Sequence, residues 1–353
     1  MKNNNIFRYC GAIHIHTKFS DGTGDLKTIV KAAKKAGLDW IIITDHNYID
    51  TEEGFFDDVC VIKGQEVSPK SENHYLVFGV NEVIELSDNP QTYVDKVREQ
   101  GGFGFAAHPD EGFTSDKDGK PVPRKNSNHC IPWTDKNIKP DGVEIWNWFS
   151  NWADNYDDGS LLTKAHSFFF KHKIVKNPSC LTLSWWDKLN NETEKIVPAL
   201  GGVDAHALLI KDYLIPLYIF PYTTCFKTIN NVITLKEPLS KDFSEAKQQI
   251  LSAVKQGNNI IVNKHNEKSI PEVWISNVNE YACCGESISL DENTNLNIKM
   301  NKKSDIKLFL NGKEIFKTQA KTCTVPIKET GKYRVEFSHK EKGFAYTNPI
   351  VVK

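Results

Sequence analysis

Nine residues of types that bind divalent metal ions stand out: His14 and His16 in HIH, Asp21 in SDG, His46 in TDH, Glu66 in GQE, His74, His108 in AHP, and Asp204 and His206 in VDAH. Imidazole and carboxylate suit zinc, manganese and iron alike. One tetrahedral ion needs only about four such donors, so nine point to a multinuclear centre, and metal-activated water makes hydrolysis its natural chemistry. His14 and His16 are two apart at the end of an apolar run, so a strand would project both from one face toward the same ion. Asp204 and His206 repeat that spacing. Asp21 follows the first pair by five residues in a turn sequence. A lone histidine is usually a core or surface residue; nine donors in this order are not explained that way.

The elements around these residues read as alternating strands and helices. Apolar runs predict strands over 9–15, 40–44, 59–63, 74–80 and 103–107, with helices over 25–36 and 90–100 between them. Gly37 and the Gly101-Gly102 pair are the helix stop signals. This alternation is the pattern of parallel strands joined by crossover helices. Residues 109–141 lack periodicity and are rich in Pro, Gly, Asp, Asn and Lys, which predicts a long functional loop insertion. Strands follow at 143–149 and 199–203, an aromatic helix around 166–172, a helix over 240–256 opened by Ser240, and a buried strand at 259–262. Beyond about residue 269, short alternating runs separated by Asn-Gly, Thr-Gly and Lys-Gly predict a small all-β sandwich.

The chain has 353 residues and a formal net charge of -1. Nothing in that balance calls for a polyanion or a membrane surface as obligatory partner. The N-terminus has no apolar segment of signal-peptide length and no run reaches membrane-span length, so a cytoplasmic protein is expected. The eight cysteines have no paired spacing, which predicts reduced thiols.

Taken together, HxHTxxSDGTG, TDH, GxE, AHP and a late DAH resemble the polymerase and histidinol phosphatase (PHP) superfamily over roughly residues 9–265. The resemblance implies an α/β fold, a distorted (β/α)7 PHP barrel with metals at the C-terminal ends of its strands, followed by a small all-β sandwich domain. On that reading residues 1–268 are the barrel, with the insertion at 109–141, and residues 269–353 an immunoglobulin-like β-sandwich. It also implies two or three divalent ions (Zn, Mn or Fe) as cofactors. His14, His16, Glu66 and Asp204 would hold the first ion and Glu66, His74 and His108 the second. Asp21, His46 and His206 would hold the third. A hydroxide bridging the first two ions would attack phosphorus, with Glu66, Asp204 and His206 as the catalytic residues.

For substrate contacts, Arg124 in the long loop with Lys125, and Asn147 in VEIWNWFSNW, are the candidates. Glu144 in the same run reads as a structural strand-end carboxylate. Trp146, Trp148, Phe149 and Trp152 could stack on a base, although such clusters are more often core. His166 and His172 are candidate leaving-group acids; His129, His265 and His339 read as structural or surface residues. The expected activity is metal-dependent phosphoesterase action on a small phosphate ester or nucleotide. Short nucleic acids fit better than polymers, given the charge balance. GKYRVEF followed by AYTNPIVV resembles the sandwich of carbamate-hydrolase-like PHP proteins, so carbamate or carboxylic ester hydrolysis is an alternative. A non-catalytic, metal-stabilised binding protein is a third.

Overall fold

The computed structural model describes residues 6–124, 130–157, 160, 174–210 and 217–353. Lys125, His129, His166, His172 and the helix expected around 166–172 lie outside the described residues. The first half contains β1 (Phe7–Ile13), α1 (Leu26–Ala36), β2 (Trp40–Ile43), β3 (Gly54–Phe56), β4 (Val59–Val67), β5 (Tyr75–Phe78), α2 (Pro90–Glu99) and β6 (Phe103–Ala106). A hairpin, β7 (Phe113–Ser115) with β8 (Pro121–Pro123), gives the 109–141 insertion some regular structure. Next come β9 (Gly142–Asn147), α3 (Trp148–Asp157), α4 (Cys180–Asn191), β10 (Ala199–Gly202), and the hairpin of β11 (Leu208–Ile210) with β12 (Leu217–Ile219). The single turn α5 (Tyr222–Cys225), then β13 (Ile229–Leu235), α6 (Phe243–Gln256) and β14 (Asn259–Asn263) complete this part.

Seven of these strands make a ring. β1, β2 and β4 are parallel neighbours, as are β6, β9 and β10, while β5 joins the two sets by antiparallel pairing to β4 and β6. The ring closes from just beyond β10 onto the end of β1, where Val203 N donates to Ile13 O at 3.0 Å and His16 N to Ala205 O at 3.0 Å. All-parallel order is therefore corrected at β5. Only residues 68–74 separate it from β4, too few for the dozen or so a parallel crossover needs. Because β5 runs backwards, its N-terminal end lies where its neighbours have their C-terminal ends. His74, immediately before β5, thus joins residues that follow the other strands.

Local signals place the helices. The Asp25 carboxylate accepts from Thr28 N at 2.9 Å to start α1, and Gly37 at φ 70° ends it. Asn89 caps α2 with Pro90 in its first turn. Asp242, rather than the expected Ser240, caps α6 through Glu245 N, while Ser240 instead hydrogen-bonds the Glu245 carboxylate. Alternate strand side chains such as Ile13, Ile42, Ile62, Leu76, Phe105 and Leu200 pack with Ile250 and Val254 of α6. The opposite faces, including Ala12, Ile41, Val61 and Val77, pack with Ile29 and Ala33 of α1. A buried apolar floor therefore lies beneath the strand ends.

The C-terminal region is β-rich: β15 (Glu272–Ser276), β16 (Tyr281–Ala282), β17 (Ser287–Ile288), β18 (Asn295–Leu310), β19 (Lys313–Pro326), β20 (Gly331–His339), β21 (Lys342–Thr347) and β22 (Ile350–Val352). The NLNIKM and IKLFLNG runs fall in one long strand, β18, with a register shift against β19 between Lys299 and Ser304. This region continues the ladder of the N-terminal part: β1 pairs β13, β13 pairs β14, and β14 pairs β21. Arg334 of β20 donates two 2.7 Å bonds to Asp187 of α4, and Lys332 Nζ donates to the carbonyls of Asn190, Thr193 and Lys195. No helix among the described residues is long and apolar enough to cross a membrane.

Candidate metal centre

The strand ends bring all nine sequence-selected residues into one cluster. His14 and His16 follow β1, His46 follows β2, Glu66 lies at the end of β4, His74 precedes β5, His108 follows β6, and Asp204 and His206 follow β10. His14, His16 and Glu66 are fully buried; His74, His108 and Asp204 retain a few per cent of their surface. Asp21 is exposed and reaches in from the loop after β1. Three of these residues adopt positive φ, His14 at 69°, His108 at 28° and Asp204 at 50°. Left-handed backbone at non-glycine residues costs energy and concentrates at functional sites.

Glu66 is the centre of the arrangement. Its Oε2 lies 3.3 Å from His14 Nε2, 3.4 Å from His16 Nε2 and 3.0 Å from His46 Nδ1, while Oε1 lies 2.9 Å from His74 Nδ1 and 3.3 Å from His108 Nε2. The two oxygens thus face two different sets of imidazoles. Asp204 Oδ1 lies 3.4 Å from His14 Nε2 and 3.3 Å from His16 Nε2. Asp21 Oδ1 lies 3.5 Å from His46 Nε2 and 3.2 Å from His206 Nε2. Donor atoms converge within 4.8 Å in four overlapping groups: His16, Asp21, His46 and His206; His14, Glu66 and His108; His14, His16 and Asp204; and His46, Glu66 and His74.

A divalent ion fits this donor set on two grounds. The first is unsatisfied polarity: His14 Nε2, both ring nitrogens of His16, and Glu66 Oε2 are buried without a hydrogen-bond partner among the described residues, a costly state that a cation at their convergence would relieve. The second is electrostatic conflict. Burial disfavours the Glu66 carboxylate, yet His14, His46 and His74 outweigh it and hold the pKa well below the usual range. Burial likewise works against protonated His14, but Asp204, Glu144 and Glu66 raise its pKa well above 6.5. For His16, burial and the neighbouring His206 push the pKa down to about 4. Metal ions stabilise the ligand forms of these groups, anionic carboxylate and neutral imidazole.

Backbone carbonyls orient several rings. His108 Nδ1 donates to Ile131 O at 3.1 Å, His206 Nδ1 to Asp204 O at 3.1 Å, and His74 Nε2 to Pro69 O at 2.9 Å. In each case the other nitrogen turns toward the carboxylates. Asp45, from TDH, is fully buried and accepts from Thr17 N at 2.7 Å and from the hydroxyls of Thr17 and Ser20. It fixes the loop that carries Asp21, a role that hydroxyl-rich neighbours of a motif carboxylate could have suggested.

The expected substrate contacts fare differently. Asn147 is buried; its Nδ2 donates to Glu144 Oε2 at 3.1 Å and Asp204 Oδ2 at 3.3 Å, and its Oδ1 accepts from Ser150 N at 2.9 Å. Its side-chain amide thus links Glu144, Asp204 and the backbone of Ser150. Arg124 lines a small recess with His108, Asn147 and Asp154, and its Nε lies 3.4 Å from Asp154. Trp146, Trp148 and Trp152 are core residues, whereas Phe149 packs 5.8 Å from the His206 ring. Glu144 is 1% exposed and bonded to His14 and His108, a connection made only by the barrel's closure.

Residues 12–100 match the family model for the PHP domain. That match contains six of the nine clustered residues, from His14 to His74. An uncharacterized protein of Methanocaldococcus jannaschii is 33% identical over 115 residues, which span 28% of this chain and 66% of that protein. A two-domain protein of Bacteroides vulgatus, named as containing a predicted PHP-like metal-dependent phosphoesterase, is similar at 15% identity and a TM-score of 0.46, covering 98% of this chain and 95% of that one. PsfC of Pseudomonas syringae is similar at 14% identity and a TM-score of 0.40, over 70% and 89% of the respective chains.

Proposed function

We propose that this protein is a metal-dependent phosphoesterase acting on a small phosphate ester or nucleotide. The observation that carries the reading is Glu66, whose two oxygens face separate histidine sets as a bridging carboxylate would, with Asp21, His46 and His206 clustered beside them. His14, His16, Glu66 and Asp204 would hold one ion, Glu66, His74 and His108 a second, and Asp21, His46 and His206 a third. Bound zinc, manganese or iron would supply water acidified to a pKa of about 7 and positive charge for phosphoryl oxygens. The exposed Asp21 and half-buried His46 and His206 mark the solvent-facing side, from which a substrate would enter. The buried apolar floor keeps water away from the opposite side. Arg124, which lines a recess with His108, would meet an anionic group by exchanging Asp154 for substrate.

Purified protein reconstituted with manganese, zinc or iron should release phosphate from a panel of monoesters and diesters. Turnover no higher than that of a His14→Ala, Asp204→Ala control would sink the proposal.

A second reading, carbamate or carboxylic ester hydrolysis, has its own observation. A cavity of about 510 Å³ begins one residue past His108, walled by Pro109, Phe113, Trp133 and Trp185, with Lys136 Nζ 4.0 Å above the Trp185 ring. Such a wall suits an aryl group. An aryl ester and carbamate panel separates the two readings, and Trp185→Ala should weaken only turnover of the aryl substrates.

A further inference from the structure

Glu144 does more than a structural strand-end carboxylate requires. It is buried inside the barrel's closing seam, and its ion-pair partner among the described residues is a histidine rather than a lysine or arginine. Its Oε1 accepts from His14 Nδ1 at 2.8 Å. Its Oε2 accepts from the backbone N–H of His108 at 2.7 Å and from Asn147 Nδ2 at 3.1 Å, and that same amide reaches Asp204 Oδ2 at 3.3 Å. One carboxylate therefore touches His14 through its ring, His108 through its strained backbone, and Asp204 through Asn147. The neighbouring strand makes room for it: a Cβ at Gly202 would stand 1.7 Å from Glu144 Oε1.

Resting on the metal reading above, we infer that Glu144 is a positioning residue that fixes the tautomer of His14, putting the ring proton on Nδ1 and leaving the Nε2 lone pair for a metal ion. An acceptor-only partner can bond only an N–H, so the carboxylate 2.8 Å from Nδ1 selects this tautomer over the other, which the Asn147 amide, 3.4 Å from the same nitrogen, would favour. The His14 Nε2 so freed is the atom that faces Glu66 and Asp204 at 3.3 and 3.4 Å. His74, His108 and His206 receive the same service from backbone carbonyls. A carboxylate in that position also makes the imidazole a stronger donor, and losing such a partner typically costs 10–100-fold in metal affinity.

Glutamine at this position separates tautomer control from packing. Its single amide oxygen best serves the two N–H donors now at Oε2, which turns its NH₂ toward His14 Nδ1. That NH₂ needs an acceptor, so the ring proton moves to Nε2 and blocks it. The experiment uses the full chain and zinc as the probe. Zinc affinity is measured by competition with a chromophoric chelator, and the Nδ1–H resonance of His14 is followed by NMR in zinc-loaded protein carrying isotope-labelled histidine. Melting of the metal-free forms controls for folding.

Glu144→Gln is expected to lose on the order of 10–100-fold in zinc affinity and to lose the Nδ1–H signal, with metal-free melting close to wild type. Glu144→Asp, which keeps an acceptor-only group, should recover part of the affinity and retain the signal. A Glu144→Gln protein that keeps wild-type affinity and the Nδ1–H signal overturns the role of Glu144 and leaves the metal reading standing. Weakened affinity with the signal retained also overturns it, because packing alone then explains the loss. Wild-type protein that binds no zinc, manganese or iron overturns both.

Discussion

Replacing Gly202 by alanine perturbs the metal centre without substituting any of the nine clustered residues. Gly202 ends β10, and its φ lies outside the left-handed region, so the backbone itself accepts alanine. The space does not. A methyl group would sit 1.7 Å from Glu144 Oε1 and 3.1 Å from His14 Cβ. Cβ contacts below about 3 Å are not sustained, so the Glu144 carboxylate must retreat by well over an ångström. That breaks the 2.8 Å bond to His14 Nδ1 and strains the 2.7 Å bond from His108 N. Loss of one such outer partner costs about 10–100-fold in metal affinity, or about 1.4–2.8 kcal/mol. Chelator competition with zinc reads the affinity, and circular dichroism checks that the fold is kept. A folded Gly202→Ala protein with unchanged zinc affinity would refute the proposed link between Glu144 and the metal ligands.

Further outcomes are expected elsewhere in the molecule. Asp187→Ala removes a bidentate partner from buried Arg334, and because Glu336 still pairs with Arg334 the loss should fall near 3 kcal/mol, the low end for a broken buried pair; urea unfolding measures it, and a change below about 1 kcal/mol would contradict a clamping role between α4 and β20. Asp21→Asn should lower the number of bound ions by one while His14, His16, Glu66 and Asp204 still hold theirs, a difference that metal analysis resolves. Burial pushes the Glu267 carboxyl up, but Ser269 and Lys302 outweigh it and hold it at about 2, with His339 also facing it. The stability it contributes is therefore full above its ordinary pKa of 4.5 and is lost as pH falls toward 2. The stability difference between wild type and Glu267→Gln should shrink across that window, and a difference constant from pH 5 to 2 would be inconsistent with the pairing.

Residue types and local spacing made much of this molecule legible. The pairs His14/His16 and Asp204/His206, the cap at Asp25 and the stop at Gly37 are local signals, and the fold uses them locally. The antiparallel β5 escaped because its run looks like any buried strand; the shortness of 68–74 was the available clue. β13 escaped because Asn230 and Asn231 interrupt its apolar pattern. Asn231 nonetheless belongs in the core, since it exchanges two hydrogen bonds with the backbone of Gly201. α4 has its Ser179 cap, but its buried face relies on Trp185 and Trp186 among polar residues rather than a clean aliphatic stripe. Asn147 was visible as a candidate and Glu144 as a structural strand-end carboxylate, but their partners lie on other strands, and only ring closure brings them beside His14, His108 and Asp204.

Metal content of the purified, reconstituted wild-type chain against the His14→Ala, Asp204→Ala double variant tests the central claim most directly. The account predicts two or three tightly held divalent ions per wild-type chain, with the first site lost in the variant. Wild-type protein that stays metal-free after incubation with zinc, manganese and iron, or a variant that retains the full complement, would contradict it.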